Sequence, residues 1–153
     1  MSDPINFDST TPRFALPLLF AGQAQKEVFV NEALSLADAL MHCAVQDEVA
    51  APPATPAEGH CWLVANAPTG GWAGQANKIA CRQAGQWLFV APRDGMRIMN
   101  LTTGQDMRRL GGTWMAPTAL PAPSGGAIID SEARVAIVNL LQSLQDAGIF
   151  PGN

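Results

Sequence analysis

The stretch Leu16–Met41, LPLLFAGQAQKEVFVNEALSLADALM, decides how the rest of the chain is read. It opens as an apolar run broken by Gly22, crosses a polar segment (Gln23, Gln25, Lys26, Glu27) and ends in an apolar-periodic helix. Asn31 stands where an N-cap belongs, since a short polar side chain accepts from the free N–H groups of a first helical turn. Glu32 follows in that turn, where the helix dipole favours a negative charge. Leu34, Ala37, Leu40, Met41 and Ala44 then recur at three- and four-residue steps, which predicts one apolar face on a helix over about 32–45. Val28 and Val30 alternate with Glu27, Phe29 and Asn31 and read as a brief extended segment feeding the cap. No part of this pattern calls for a substrate. It is an element built to pack against something.

Composition narrows the rest. A chain of 153 residues is one domain, or a small domain with appendages, and is long enough for a real core. Charged residues make up 14% and the formal net charge is −4, so the clustered Lys and Arg that nucleic acid requires are missing. No segment approaches the roughly 20 apolar residues of a membrane span. The opening MSDPINFDSTTPR has neither a basic start nor an apolar centre and is read as no secretory signal. It is either a disordered tail or an extended arm in which Ile5, Phe7 and Phe14 dock into a neighbour's groove.

Along the chain, residues 1–46 form the arm and first helix, and the Pro- and Ala-rich 47–59 a linker, because its prolines exclude helix and central strand. Short strands at about ten-residue spacing follow over 60–116: His60–Ala65, Lys78–Ala84, Gln86–Ala91, Met96–Leu101, Gln105–Leu110 and Thr113–Ala116. Ala84-Gly85 suits a tight hairpin, and Thr102-Thr103-Gly104 and Gly111-Gly112 mark further turns. A second linker spans 117–129, and a helix over Ser131–Ala147 occupies the closing 130–153. Asp130 is its N-cap, Ala133, Ile137, Leu140, Leu141 and Leu144 its apolar stripe, and Gly148 with Pro151 its stop. The expected fold class is α+β: a small antiparallel β domain, sheet or barrel, flanked by an amphipathic helix at each end. The helices either bundle with those of neighbouring subunits or fold back onto one face of the sheet.

The residues that carry chemistry are few. His42-Cys43, His60-Cys61 and Cys81 nominally offer mixed metal ligation, but adjacent residues point in different directions and no C-x-x-C or H-x-H spacing occurs. Buried free cysteine is the ordinary outcome, and three cysteines are no disulfide framework, which fits a reducing cytoplasm. No G-x-S-x-G, P-loop or H-E-x-x-H is present, and the acids of the β region, Glu58, Asp94 and Asp106, sit in a linker, a turn and a hairpin. The expectation is no enzyme, no metal and no cofactor. Four tryptophans and no tyrosine lie in the chain, and Trp62 and Trp87 read as core or cross-strand pairs. Trp72, in P-T-G-G-W-A-G beside Asn66, Gln75 and Asn77, is either a sugar-stacking platform or a lid folded over a small core. Trp114 fits either role.

The run G-Q-A-Q-K-E-V-x-V-N-E-A-L-x-x-x-D-A-L, Gly22 to Leu40, resembles the N-terminal signature of an uncharacterised family, DUF2793-like, encoded by phages, prophages and gene transfer agents. The likeness continues through Pro52-Pro53, Pro56-Ala57-Glu58-Gly59, Gly71-Trp72-Ala73-Gly74 and Trp87-x-Phe89-x-x-Pro92-x-x-Gly95, covering roughly 14–116. That resemblance implies a virion structural protein, assembled in the bacterial cytoplasm and carried on the particle surface among head-spike or tail-fibre proteins. It would be an oligomeric base or adaptor, a homo-oligomer (trimer or pentamer), contacting capsid or spike and fibre subunits and holding a receptor-binding component. Phe7, Phe14, Leu34, Ala37, Leu40, Met41, Ile137, Leu141 and Leu144 are the expected interface. The alternative is a module that itself binds host surface polysaccharide through Trp72, Asn66, Gln75 and Asn77. An enzyme acting on glycans is a third, lesser reading.

Overall fold

A computed structural model of the chain describes residues 9–22, 26–128 and 130–151; Phe7 lies outside them. The elements are α1 (Lys26–Leu40), β1 (Ala44–Val45), β2 (Glu48–Val49), β3 (Cys61–Val64), a 3-10 turn (Gly70–Trp72), β4 (Ile79–Gln83), β5 (Gln86–Val90), β6 (Arg97–Asn100), β7 (Gln105–Leu110), β8 (Thr113–Met115) and α2 (Ser131–Asp146). The fold is α+β, and its strands make open sheets rather than a closed barrel. The chain divides into two compact units, Met1–Pro92 and Arg93–Asn153.

In the first unit, α1 begins at Lys26, so Val28 and Val30 are helical and Asn31 sits inside the helix instead of capping it. The reason is that the Asn31 amide has another partner. Its Oδ1 accepts the Leu19 N–H at 2.8 Å and its Nδ2 donates to the Leu19 carbonyl at 3.0 Å, pairing with the arm as a strand would. The helix closes at Leu40, and His42, at φ +45°, reverses the chain, so Ala44 leaves the stripe for β1. The expected continuation to Val45 is therefore lost to a turn.

The sheet of this unit runs β2-β3-β4-β5, with β2 parallel to β3 and the other pairs antiparallel. Ala84 (φ +49°) and Gly85 (φ +73°) form the two-residue β4–β5 turn, the left-handed pair that suits strand twist. Alternation sorts the strands into two faces. On one, Trp62, Val64 and Ala80 pack with Trp72, joined by Val49, Trp87 and Phe89. The other carries Cys61, Leu63, Ile79 and Cys81, all buried. The Pro-rich 47–59 segment is stitched to this sheet. It supplies β2, the Gly59 N–H donates to the Arg82 carbonyl at 2.8 Å, and Glu58 accepts the Gly85 N–H at 2.8 Å beside Arg82.

In the second unit, β6, β7 and β8 form an antiparallel meander. Gly111 and Gly112, both at positive φ, make the β7–β8 turn. Asp94 holds that turn by accepting both glycine N–H groups, at 2.8 and 3.0 Å, a longer-range task than the local turn bonding its P-R-D-G setting predicts. Residues 116–128 carry no helix or strand. Asp130 caps α2 through the Ala133 N–H at 2.8 Å, and Gly148 at φ +69° ends it, with the Ile149 N–H reaching back to the Leu144 carbonyl.

Candidate functional site

The N-terminal arm is held by a buried acid. Asp38 is 0% exposed, and its carboxylate accepts from the Thr11 hydroxyl (2.7 Å), the Phe14 N–H (2.7 Å) and the Arg13 N–H (3.1 Å). Gln83 on β4 donates to it at 3.5 Å, which ties α1 to the sheet. Arg13 completes the clasp from the other side: its guanidinium donates to the carbonyls of Asp38, Ala39 and His42 at 2.8, 2.8 and 3.0 Å. The Asp38 and Ala39 carbonyls are among the orphan carbonyls of the α1 C-terminus, where a cation is favoured, and His42 belongs to the turn that follows. Asn31 and Asp38 thus give α1 a polar stripe on its inner side that grips backbone of the arm.

The outer side of α1 is apolar. Phe29, Ala33, Leu36 and Leu40 follow at spacings of four, three and four, the spacing found in coiled-coil seams, with Leu36 half-buried. Phe29 is 76% exposed and Val28 62%, with Val30, Leu40 and Met41 also exposed. Among the residues expected at the interface, Ala37, Leu40 and Met41 are exposed, Leu34 is half-buried, and Phe14 on the arm is exposed. In α2 no residue is buried: Ile137 is exposed, and Leu141 and Leu144 are half-buried. Sequence periodicity marks Leu40 but not Phe29, because the alternation of Val28-Phe29-Val30 reads as extended.

The Trp72 loop is folded inward. Trp72 is 0% exposed, its ring meeting Trp87 edge to face with centroids 5.0 Å apart, and Trp87 meets Trp62 in the same way at 5.6 Å. Gly70 and Gly74 adopt positive φ to bring the indole down, and the Thr69 N–H to Ala50 carbonyl bond (2.7 Å) pins the loop to the 47–59 segment. Gln75 accepts from the Lys78 ammonium at 2.8 Å, Asn77 spends its left-handed backbone on a turn, and only Asn66 is exposed. Trp72, Asn66, Gln75 and Asn77 therefore offer no aromatic face to a sugar; the indole is a lid. Trp114, half-buried, lies under the Arg109 guanidinium at 5.7 Å.

Strand register builds a cleft in the second unit that no sequence motif marks. Arg97 and Arg108 stand directly opposite each other on β6 and β7, and Met115 neighbours Arg108 on β8. With Asp106, Ile149 and Phe150 they line a cavity of about 290 Å³. Neither guanidinium has an ion-pair or hydrogen-bond partner among the described residues. The two like charges face each other across the strand pair, with the Asp106 carboxylate two residues along on the same face of β7.

All three cysteines are buried free thiols, and burial pushes the Cys43 thiol up to about 12, with the nearby Cys61 adding to the rise. Among the described residues no three His, Cys, Asp or Glu side chains gather as a metal-binding group. No described helix is long and apolar enough to cross a membrane. Residues 30–115 match the family described as "Protein of unknown function (DUF2793)". No curated protein matches the chain.

Proposed function

From the premise that the chain belongs to the DUF2793 family, we propose that it is a structural subunit of a phage-like particle. Its role is that of an oligomeric base or adaptor for a head spike or tail fibre. The observation that carries this reading is α1, which spends its polar stripe on its own arm and, at heptad-like spacing, leaves Phe29, Ala33 and Leu40 exposed and Leu36 half-buried. A helix that leaves such a stripe uncovered in one chain gains most by meeting a copy of itself, since a seam at 3.5-residue spacing is self-complementary. The wholly unburied α2 adds a second surface, suited to neighbouring virion proteins.

The test is the molar mass of the full chain by light scattering, beside Phe29→Asp. A defined oligomer that falls to a folded monomer in the variant supports the reading. A monomeric wild-type chain overturns it. Deleting the first 45 residues is a poorer test, because it also removes Asp38, the partner of Gln83 in the sheet, and the buried Val45.

A second reading, host attachment through surface polysaccharide, is favoured by the Arg97–Arg108 cleft in place of the Trp72 loop. Paired guanidiniums match carboxylates in planar, bidentate geometry, so the ligand class is an acidic sugar. Binding of uronic-acid oligosaccharides that is lost in Arg97→Ala and Arg108→Ala would support it, and indifference of binding to both variants would sink it.

A further inference from the structure

Cys61 and Cys81 sit directly opposite each other on antiparallel β3 and β4. The backbone bonds on either side, Arg82 N–H to His60 carbonyl and Val64 N–H to Lys78 carbonyl, leave 61–81 as a non-hydrogen-bonded pair. That is the close pair type, with Cα atoms about 4.5 Å apart, inside the span a disulfide can bridge. Their sulfurs are 3.0 Å apart, so no backbone movement is needed to bring them together. The pair is 1% and 0% exposed, and among the described residues no metal-ligand cluster surrounds either thiol.

We propose that Cys61 and Cys81 form a reversible cross-strand disulfide, with a low-molecular-weight disulfide such as oxidised glutathione as the oxidant. The Cys61 thiolate attacks one sulfur of the oxidant, forms a mixed disulfide and releases one glutathione, which takes up the Cys61 proton. The Cys81 sulfur then attacks the Cys61 sulfur and expels the second glutathione, which carries away the Cys81 proton. Two electrons leave the protein thiols and reduce one oxidant disulfide to two thiols. The order follows from the shared proton: contact with Cys81 lowers Cys61, helped by Arg13, whereas the same contact and burial raise Cys81. Attack requires a thiolate, so Cys61 goes first.

Access is governed by the arm. Arg13 lies against Gly59, two residues before Cys61: a Cβ at Gly59 would stand 2.9 Å from Arg13 Cγ. The arm clasp therefore closes over the strand end that bears Cys61. Oxidant enters when that clasp opens, or while the chain folds. The site stands apart from the assembly reading, since neither thiol lies on the outer face of α1.

The test is performed on the full chain, incubated with oxidised glutathione, then denatured, alkylated and weighed, with linked peptides mapped. The expected result is loss of two alkylatable thiols, a Cys61–Cys81 linked peptide, retention of Cys43, and recovery of all three thiols on reduction with dithiothreitol. Cys43→Ala should behave as wild type apart from its missing thiol, and Cys61→Ser should hold no intramolecular bridge. Because Cys61→Ser also changes a buried position, peptide mapping of the wild-type chain decides the pairing if the serine variant does not fold, and a bridge in Cys43→Ala shows that Cys61 and Cys81 suffice. Three free thiols after refolding from denaturant in oxidised glutathione would overturn the proposal, as would a bridge that uses Cys43.

Discussion

The buried carboxylate of Asp38 accepts the Thr11 hydroxyl at 2.7 Å across 27 residues of chain. This one acid organises the arm, since two backbone N–H groups converge on it as well. Asp38→Asn keeps the shape but turns an NH₂ toward donors, leaving one or more of them unsatisfied in the interior. We expect a loss of roughly 2–4 kcal/mol, the scale of orphaned buried donors and a lost charge-assisted bond, read by urea unfolding. The same variant should oxidise faster at Cys61–Cys81, because the arm over Gly59 is loosened. Unchanged stability would mean that the arm is not fastened through Asp38.

The parts of the fold that were legible in the sequence are those written in local chemistry. Ala84-Gly85 and Gly111-Gly112 supply the left-handed pairs a tight hairpin needs, and Asp130 and Gly148 bracket α2 as cap and stop. What stayed hidden depends on partners far along the chain. Asn31 has the composition of an N-cap, yet its amide serves Leu19, and nothing within its own helix announces that. Nothing in the sequence around Asp38 marks it as the holder of the arm. The Trp72 loop admitted both a platform and a lid, and the choice rested on the Thr69–Ala50 bond to a segment that the prolines made look like a free linker. Arg97 and Arg108 were invisible as a pair until strand register set them side by side.

Alkaline pH should weaken the first unit. Burial holds the Cys43 thiol up at about 12 from an ordinary 9.0, so the folded protein keeps a proton that the unfolded chain gives up. Where the unfolded state binds fewer protons, stability falls as pH rises. The contribution is fully present below about pH 9 and is lost as pH climbs toward 12. Unfolding midpoints measured from pH 7 to 11 should decline above 9, and Cys43→Ala should flatten that decline; parallel profiles would contradict the assignment. By the same argument, Cys43 in the folded chain should resist iodoacetamide at neutral pH, since alkylation needs the thiolate.

The facing guanidiniums of Arg97 and Arg108 make a prediction independent of any ligand. Removing one charge from a directly opposed like pair should stabilise the protein by about 0.5 kcal/mol. Arg108→Gln keeps the length and polarity of the side chain and so isolates the charge. Thermal unfolding at low salt should show the gain, and added salt should erase it by screening. A loss of stability instead would show that each guanidinium is already satisfied, and the cleft would no longer stand as an anion site.

The outer stripe of α1 separates assembly from folding most cleanly. Phe29 is 76% exposed, so replacing it by Asp removes no intramolecular core. Glu32 lies one turn along the same helix, and the added carboxylate would face its own copies across a seam, where like charges are costly. The isolated fold should keep its unfolding free energy within roughly 0.5 kcal/mol, the usual range for surface substitutions, while the mass measured by light scattering drops. Ile128→Asp is the control: that side chain is the more exposed of the two, at 94%, and lies outside either helix. If both substitutions leave the mass unchanged, α1 is not the contact between copies. If both lower it, the effect is one of general hydrophobicity and the heptad spacing from Phe29 to Leu40 carries no specificity. Only a drop confined to Phe29→Asp assigns assembly to that seam.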